Sequence, residues 1–460
     1  MGDLNSLLLA DVNNNGLILL EEENTDLIQS FLHSLGTYYK NNNYKVMVAS
    51  QTDHPKAKQW CDLISRHALC WVKSITWIKD PIAQPVMCSF LATNKTFNLG
   101  LFILVDDDAQ NRCYLQCLNS NGFAFQKIQI QNLFDHECGH ESQMMNKMNI
   151  SNNNNSSTLK KCSDTIVYAT LANTFSEIIM RSTIDVIECS NLKFAFLINS
   201  KSIQQYIKHC ANLFSLKYEF ICVSDGWPWP SEEAKRDQEM HDRLSDYRQQ
   251  HAVQHQANVI FCITDDGQQM AAGVTTDNEN HELFILSDQD VVILLVWWTN
   301  TRLQSELEYA IFRTVCPLEI DESGEQDVCS MLDARTKVGL VCDESATLNL
   351  FNNNIITTDS DEKDNLLELI KVGRDTEDNI VGVVGQKIKH TANNNDDATS
   401  VKWHNKFSLG WDGHRRYLCG TRAWDAVAAS IQLAHIAIFA RAISRCNLQQ
   451  LLTLLKMGRK

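Results

Sequence analysis

One segment has a spacing that by itself names a reaction: His136-Glu137-Cys138-Gly139-His140. On a helix, H-E-x-x-H sets two imidazoles on one face for Zn²⁺, and the glutamate polarises a bound water. Gly139 weakens a helix there, and the segment runs on into a Met- and Asn-rich stretch. No third ligand follows at the usual near spacing, so the segment reads as polar surface. Asp106-Asp107-Asp108 closes the apolar run Leu99–Val105, and three adjacent carboxylates repel a phosphate. His414-Arg415-Arg416 carries the opposite charge, and guanidinium groups suit anions. Met1-Gly2 with Ser6 fits the myristoylation pattern on very few residues, with Asp3 against it.

The elements that must position these groups are short apolar runs alternating with helical stretches. Tyr44–Ser50, Leu69–Ile75, Leu99–Val105, Lys193–Ile198, Phe220–Val223 and Val259–Ile263 read as strands. Ala57–Ser65, Asp290–Trp298 with its continuation, and Asp425–Arg445 read as helices. The last has Val427, Ile431, Ala434, Ile438 and Ile443 at roughly helical spacing. Its Val427, Ile431 and Ile438 face is expected to pack on a sheet. Such alternation predicts an α/β chain built on largely parallel sheets. Asparagine tracts such as Asn152–Asn155 and Asn393–Asn395 mark loop expansions, because Asn favours turns over regular hydrogen bonding.

The chain has 460 residues, 41 Lys+Arg against 56 Asp+Glu, and a formal net charge of -15. Such an acidic balance argues against a nucleic-acid partner and against docking on an anionic membrane. The longest apolar run, Val291–Trp298, is far shorter than the ~20 residues of a membrane span. No signal peptide is read at the N-terminus. There are 16 cysteines with no C-x-x-C pair. They read as buried free thiols of a reduced, cytoplasmic compartment, with Cys70, Cys222, Cys262 and Cys446 as examples in apolar runs.

Leu418-Cys419-Gly420-Thr421, followed by Asp425-Ala426-Val427 and a long apolar helix, resembles the third domain of the α-D-phosphohexomutases. The branch it is most similar to is that of eukaryotic phosphopentomutase and glucose-1,6-bisphosphate synthase. Further segments fall in the family's order: Ile78–Phe90, Gly100–Val105, Asp225-Gly226-Trp227-Pro228, Asn258–Ala272 and Ser287–Trp298. The resemblance implies three consecutive phosphohexomutase-type α/β/α domains with mixed sheets, at 1–150, 151–256 and 257–460. A fourth, C-terminal domain is expected to be absent, as is the family's first phosphate-binding arginine.

The resemblance also implies where the chemistry would sit. Asp106 occupies the position of the phosphoserine that donates the phosphoryl group, and a carboxylate cannot be cycled through phosphoserine. Thr264, Asp266 and Gln268 occupy the three Mg²⁺-ligand positions, with Gln269 at the following arginine and Asp265 adjacent. A hard cation takes oxygen ligands, usually carboxylates, and one of three survives in register. Asp412, Gly413, His414, Arg415 and Arg416 occupy the sugar loop, whose glutamates and serine are gone. The implied reading is a degenerate phosphohexomutase with no catalytic or metal residues and no cofactor. It would bind a protein partner or a sugar phosphate. The alternative is an active phosphopentomutase or phosphoglucomutase, with Mg²⁺ and displaced active-site residues.

Overall fold

The computed structural model describes residues 7–10, 16–38, 44–94, 96–105, 112–120, 122, 124–138, 158–178, 192–222, 238–247, 257–276, 283–302, 308–313, 336–340, 383–388, 402–403, 409–411, 415–419 and 424–457. The chain separates into two compact units. The first is dominated by residues 1–171 and the second by residues 234–460.

In the first unit, a run such as Lys45–Ser50 (KVMVAS) has no polar alternation, so it suits a strand covered on both faces. It forms β3, flanked in sequence by β1 (Leu8–Ala10), β2 (Gly16–Leu20), β4 (Ser74–Ile78), β5 (Leu99–Val105), β6 (Cys113–Asn119) and β7 (Thr158–Cys162). Their order across the sheet is β1-β2-β6-β5-β3-β4-β7. β5, β3, β4 and β7 run parallel, whereas β1, β2, β6 and β5 pair antiparallel. The sheet is therefore mixed, where the alternation of elements alone suggested parallel strands.

Helix α1 (Thr25–Tyr38) and α2 (Pro55–Ala68) cover this sheet. α2 starts where Pro55 supplies the helical φ, and His54 Nδ1 accepts from the Lys56 N–H at 3.3 Å. Ala57, Trp60, Cys61, Ile64 and Ala68 recur at i, i+3, i+4, i+7 and i+11 and make its buried face. They meet Phe31, Leu35, Val46, Val48, Leu101 and Leu115 in one apolar cluster. The run Leu69–Ile75 is not the strand expected from its composition. Leu69 caps α2, the next residues turn, and β4 begins only at Ser74. On α3 (Gln84–Thr93), Leu91 and Met87 crowd Gly100 of β5. A Cβ there would lie 2.5 Å from Leu91 Cδ1. Two helices follow, α4 (Lys127–Cys138) and α5 (Asp164–Ile178). The segment His136–Cys138 falls in the last turn of α4, and residues 139–140 lie outside the described residues.

The second unit contains β8 (Phe194–Leu197), β9 (Tyr218–Ile221), β10 (Val259–Ile263), β11 (Met270–Thr275) and β12 (Leu283–Ile285), ordered β12-β11-β10-β8-β9. Strands β9, β8 and β10 are parallel, while β10, β11 and β12 form an antiparallel meander. Phe196 and Phe261 stack at 5.1 Å between ring centroids. A smaller sheet has the order β14 (Thr336–Leu340), β13 (Glu308–Arg313), β15 (Val383–Ile388), β16 (Lys402–Trp403). β17 (Leu409–Trp411) and β18 (Tyr417–Cys419) form a hairpin.

The helices of the second unit are α7 (238–247), α8 (Asp288–Arg302), α9 (Ala426–Phe439) and α10 (Leu448–Met457), while α6 (Lys201–Leu213) is divided between the two units. α8 opens with a reciprocal cap. Asp290 N–H donates to Ser287 Oγ, and Ser287 N–H donates to Asp290 Oδ2. α9 differs from its expected amphipathic form. Every residue from Ala426 to Ile438 is buried, not one face alone, as suits a helix apolar all round. A π-turn at Ala440–Ser444 replaces the regular continuation to Arg445. Cys262 and Cys446 are buried as expected, but Cys70 and Cys222 are exposed. Cys70 lies in the turn after α2, and Cys222 directly follows β9.

Candidate functional site

Of the chemistry-bearing segments, the β10–β11 connection is the one described throughout, and it lies in the second unit. Thr264-Asp265-Asp266-Gly267 is a tight turn closed by Gly267 N–H to Thr264 O at 2.8 Å. Its last residue has φ 74°, which glycine adopts without a Cβ penalty. The turn is buried despite its polarity: Thr264 is 1%, Asp265 8%, Asp266 6%, Gln268 9% and Gln269 1% exposed. Burying such groups is costly without partners, and the turn supplies them for Thr264 and Asp266. Thr264 Oγ1 donates to Asp266 Oδ1 at 2.5 Å, and Gln268 N–H donates to the same oxygen at 3.0 Å. Gln269 N–H donates to Thr264 Oγ1 at 3.1 Å.

Two other segments are fastened to this turn. Met270 N–H donates to Arg415 O at 3.0 Å, and Gln269 bridges Arg416 in antiparallel fashion. Ala426 N–H donates to Gly267 O at 2.9 Å, so the turn receives the first residue of α9. Asp425 caps that helix, with Oδ1 accepting from Ala428 N–H at 2.8 Å, and its own N–H donates to Tyr417 O. The Tyr417 hydroxyl donates to Asp288 at the start of α8.

Arg415 and Arg416 are engaged internally. The Arg415 guanidinium donates to Leu286 O at 3.2 Å, and Arg416, 6% exposed, lies over the Trp424 ring at 5.5 Å. Arg415 takes a left-handed φ of 59°. Burial pushes the Cys262 thiol up to about 12, with Arg243 and Arg415 opposing the rise and Glu239 and Asp265 adding to it. Charges of both signs therefore surround the end of β10.

Arg243 and Glu239 form an ion pair one turn apart on α7. Neither was singled out from the sequence, although their i,i+4 spacing was the available signal. Tyr417, Asp288 and Asp425 were also outside the candidate set. Asp425 was legible as a helix opener and the other two were not.

The turn does not fit a divalent cation. Mg²⁺ demands near-ideal octahedral oxygen geometry and favours carboxylates. Here Asp266 is the sole acid among the three ligand positions, and its Oδ1 faces two hydrogen-bond donors. Thr264 and Gln268 bring no charge. Among the described residues, no group of three or more His, Cys, Asp or Glu side chains is placed to hold a metal ion. Asp106, with Asp107 and Asp108, lies outside the described residues, as do Asp412, Gly413, His414 and the segment 225–228. No helix among the described residues is long and apolar enough to cross a membrane.

No protein-family model matches the chain, and no curated protein matches it in sequence. Solved structures do match in fold. One is a phosphoglucomutase/phosphomannomutase family protein from Burkholderia thailandensis, with a TM-score of 0.59 at 10% identity. It is matched over 96% of this chain and 78% of that one. Another is the open form of the exocytosis-sensitive phosphoprotein pp63/parafusin, a phosphoglucomutase from Paramecium. Its TM-score is 0.58 at 10% identity, over 97% of this chain and 75% of that one. At this identity the likeness shows a shared mixed α/β fold of the phosphohexomutase type.

Proposed function

We propose that this chain is a phosphoglucomutase-like protein that no longer transfers phosphoryl groups and acts in sugar-phosphate metabolism by binding or regulation. The fold likeness supports the family setting, and the order of segments read from the sequence agrees with it. The observation that carries the loss of catalysis is the Thr264–Gln269 turn. Phosphoryl transfer relies on positioned positive charge at the transferring group. At the register where the resemblance implies three converging carboxylates around Mg²⁺, a threonine hydroxyl donates into the one acid present. Asp106 in place of the donor serine supports the same reading.

The test is turnover. Purified full-length chain is assayed on ribose 1-phosphate and glucose 1-phosphate with Mg²⁺ and a bisphosphate activator. Product formation at the level of the blank is expected. Mg²⁺-dependent turnover well above it would overturn the reading in favour of an active mutase with displaced residues. Asp106→Ser alone is not expected to restore activity, because the cation site stays incomplete.

A further inference from the structure

Asp266 is 6% exposed, and a buried carboxylate must be met by positive charge or by donors. It is met by the Thr264 hydroxyl at 2.5 Å and the Gln268 N–H at 3.0 Å. The hydroxyl is used twice, since its oxygen also accepts from Gln269 N–H at 3.1 Å. A hydroxyl has one proton and two lone pairs, so Thr264 relays between the carboxylate and the Gln269 backbone. The turn's outward links reach Arg416, which Gln269 bridges, and Ala426, whose N–H donates to Gly267 O, and both are distant in sequence.

We infer that the 264–269 turn is a cation-independent clasp. The Thr264 hydroxyl and Gln268 amide take the place at Asp266 that a divalent cation would fill, and the turn serves to hold β18 and the start of α9 in register. The clasp stands apart from the question of turnover, because it is read from the turn's own opening and not from product.

Hydrogen exchange of the full-length chain, followed by fragment mass analysis across 259–275 and 424–439, tests it. Millimolar Mg²⁺ or a chelator should leave both segments of the wild type unchanged. Thr264→Val removes donor and acceptor at nearly constant shape, and should speed exchange at Gln268, Gln269 and Ala426 by about tenfold or more. Thr264→Ser keeps the hydroxyl and should retain most of the protection. The double change Thr264→Asp with Gln268→Asp sets carboxylates at all three positions, and should gain protection on adding Mg²⁺. Slower wild-type exchange with Mg²⁺, unchanged exchange in Thr264→Val, or a folded double variant blind to Mg²⁺ would each overturn the clasp. If Thr264→Val does not fold, the wild type with and without Mg²⁺ and the serine variant still decide.

Discussion

The cluster beneath α1 and α2 and the turn after β10 are both almost sealed from water, yet they are held by opposite means. The first is built of Phe31, Leu35, Val46, Ile64, Leu101 and their neighbours, close to 0% exposed. Its stability scales with buried apolar area, which is non-directional and tolerant of small shifts. The second buries threonine, aspartates and glutamines at similar exposure. It depends on a few hydrogen bonds whose directions must all be right, and a half-satisfied polar network is worse than none. The difference teaches that burial alone says little about how a region fails. One region should lose stability in proportion to volume removed, and the other should fail at single atoms.

Alkaline pH should strike both regions together and most strongly. Burial pushes the Cys61 thiol under the first sheet and the Cys262 thiol in β10 each up to about 12. A thiol whose folded pKa is raised favours folding fully below its unfolded value, near 8.5, and that contribution fades as pH climbs toward 12. Denaturation midpoints measured from pH 8 to 11 should therefore fall steadily above about pH 9. A flat profile would mean that these thiols are reached by water. At neutral pH a thiol reagent should label the exposed Cys70 and Cys222 well before either buried one.

Phe31→Ala is the next largest test, and it addresses the apolar region alone. Removing a fully buried ring should cost about 3–5 kcal/mol, seen as a lower urea midpoint. A loss under ~1 kcal/mol would mean that the cluster collapses around the gap. On the polar side, Gly267→Ala places a Cβ at φ 74° and should cost about 1–2 kcal/mol. That is large for one methyl group, and a neutral result would show that the turn can rearrange. The smallest effect is expected at Lys456→Met. Lys456 Nζ lies 2.7 Å from Asp290 Oδ1, but its side chain is 45% exposed. Asp290 is 8% exposed but also accepts from the Ser287 N–H, so a pair with its lysine end in solvent should lose no more than about 1 kcal/mol and is screened by salt. The difference from wild type should shrink further in high salt.

The two regions also differed in how far the sequence disclosed them. β3, β5 and β10 were legible because strands covered on both faces carry unbroken apolar runs, and α2 and α9 because Pro55 and Asp425 mark their starts. Leu69–Val72 misled, since an apolar run there closes a helix instead of opening a strand. The mixed character of the first sheet came from the family resemblance and not from the alternation of elements, because β6 and β2 pair across nearly a hundred residues. In the site, Thr264, Asp266 and Gln268 were singled out by the family resemblance alone, and they fall in one buried turn. The closure could not be read, because it depends on which way one hydroxyl turns. Nor does composition say that Arg416 lies over Trp424 instead of facing solvent.

The pairing of β4 with β7, from Ser74↔Thr158 to Ile78↔Cys162, has a consequence for synthesis. A ribosome delivers β3, β4 and β5 long before it delivers β7. During that interval the outer edge of β4 presents unpaired N–H and C=O groups, an invitation to any other extended chain. At ~5–20 residues per second, the 79 intervening residues between Ile78 and Thr158 take seconds to emerge. When β7 arrives, it brings Lys160 and Lys161, and Lys161 settles over the Trp77 ring at 4.1 Å. Charged side chains on an outer strand discourage further addition. The nascent chain thus passes through a sticky interval that ends only when residue 162 has left the exit tunnel.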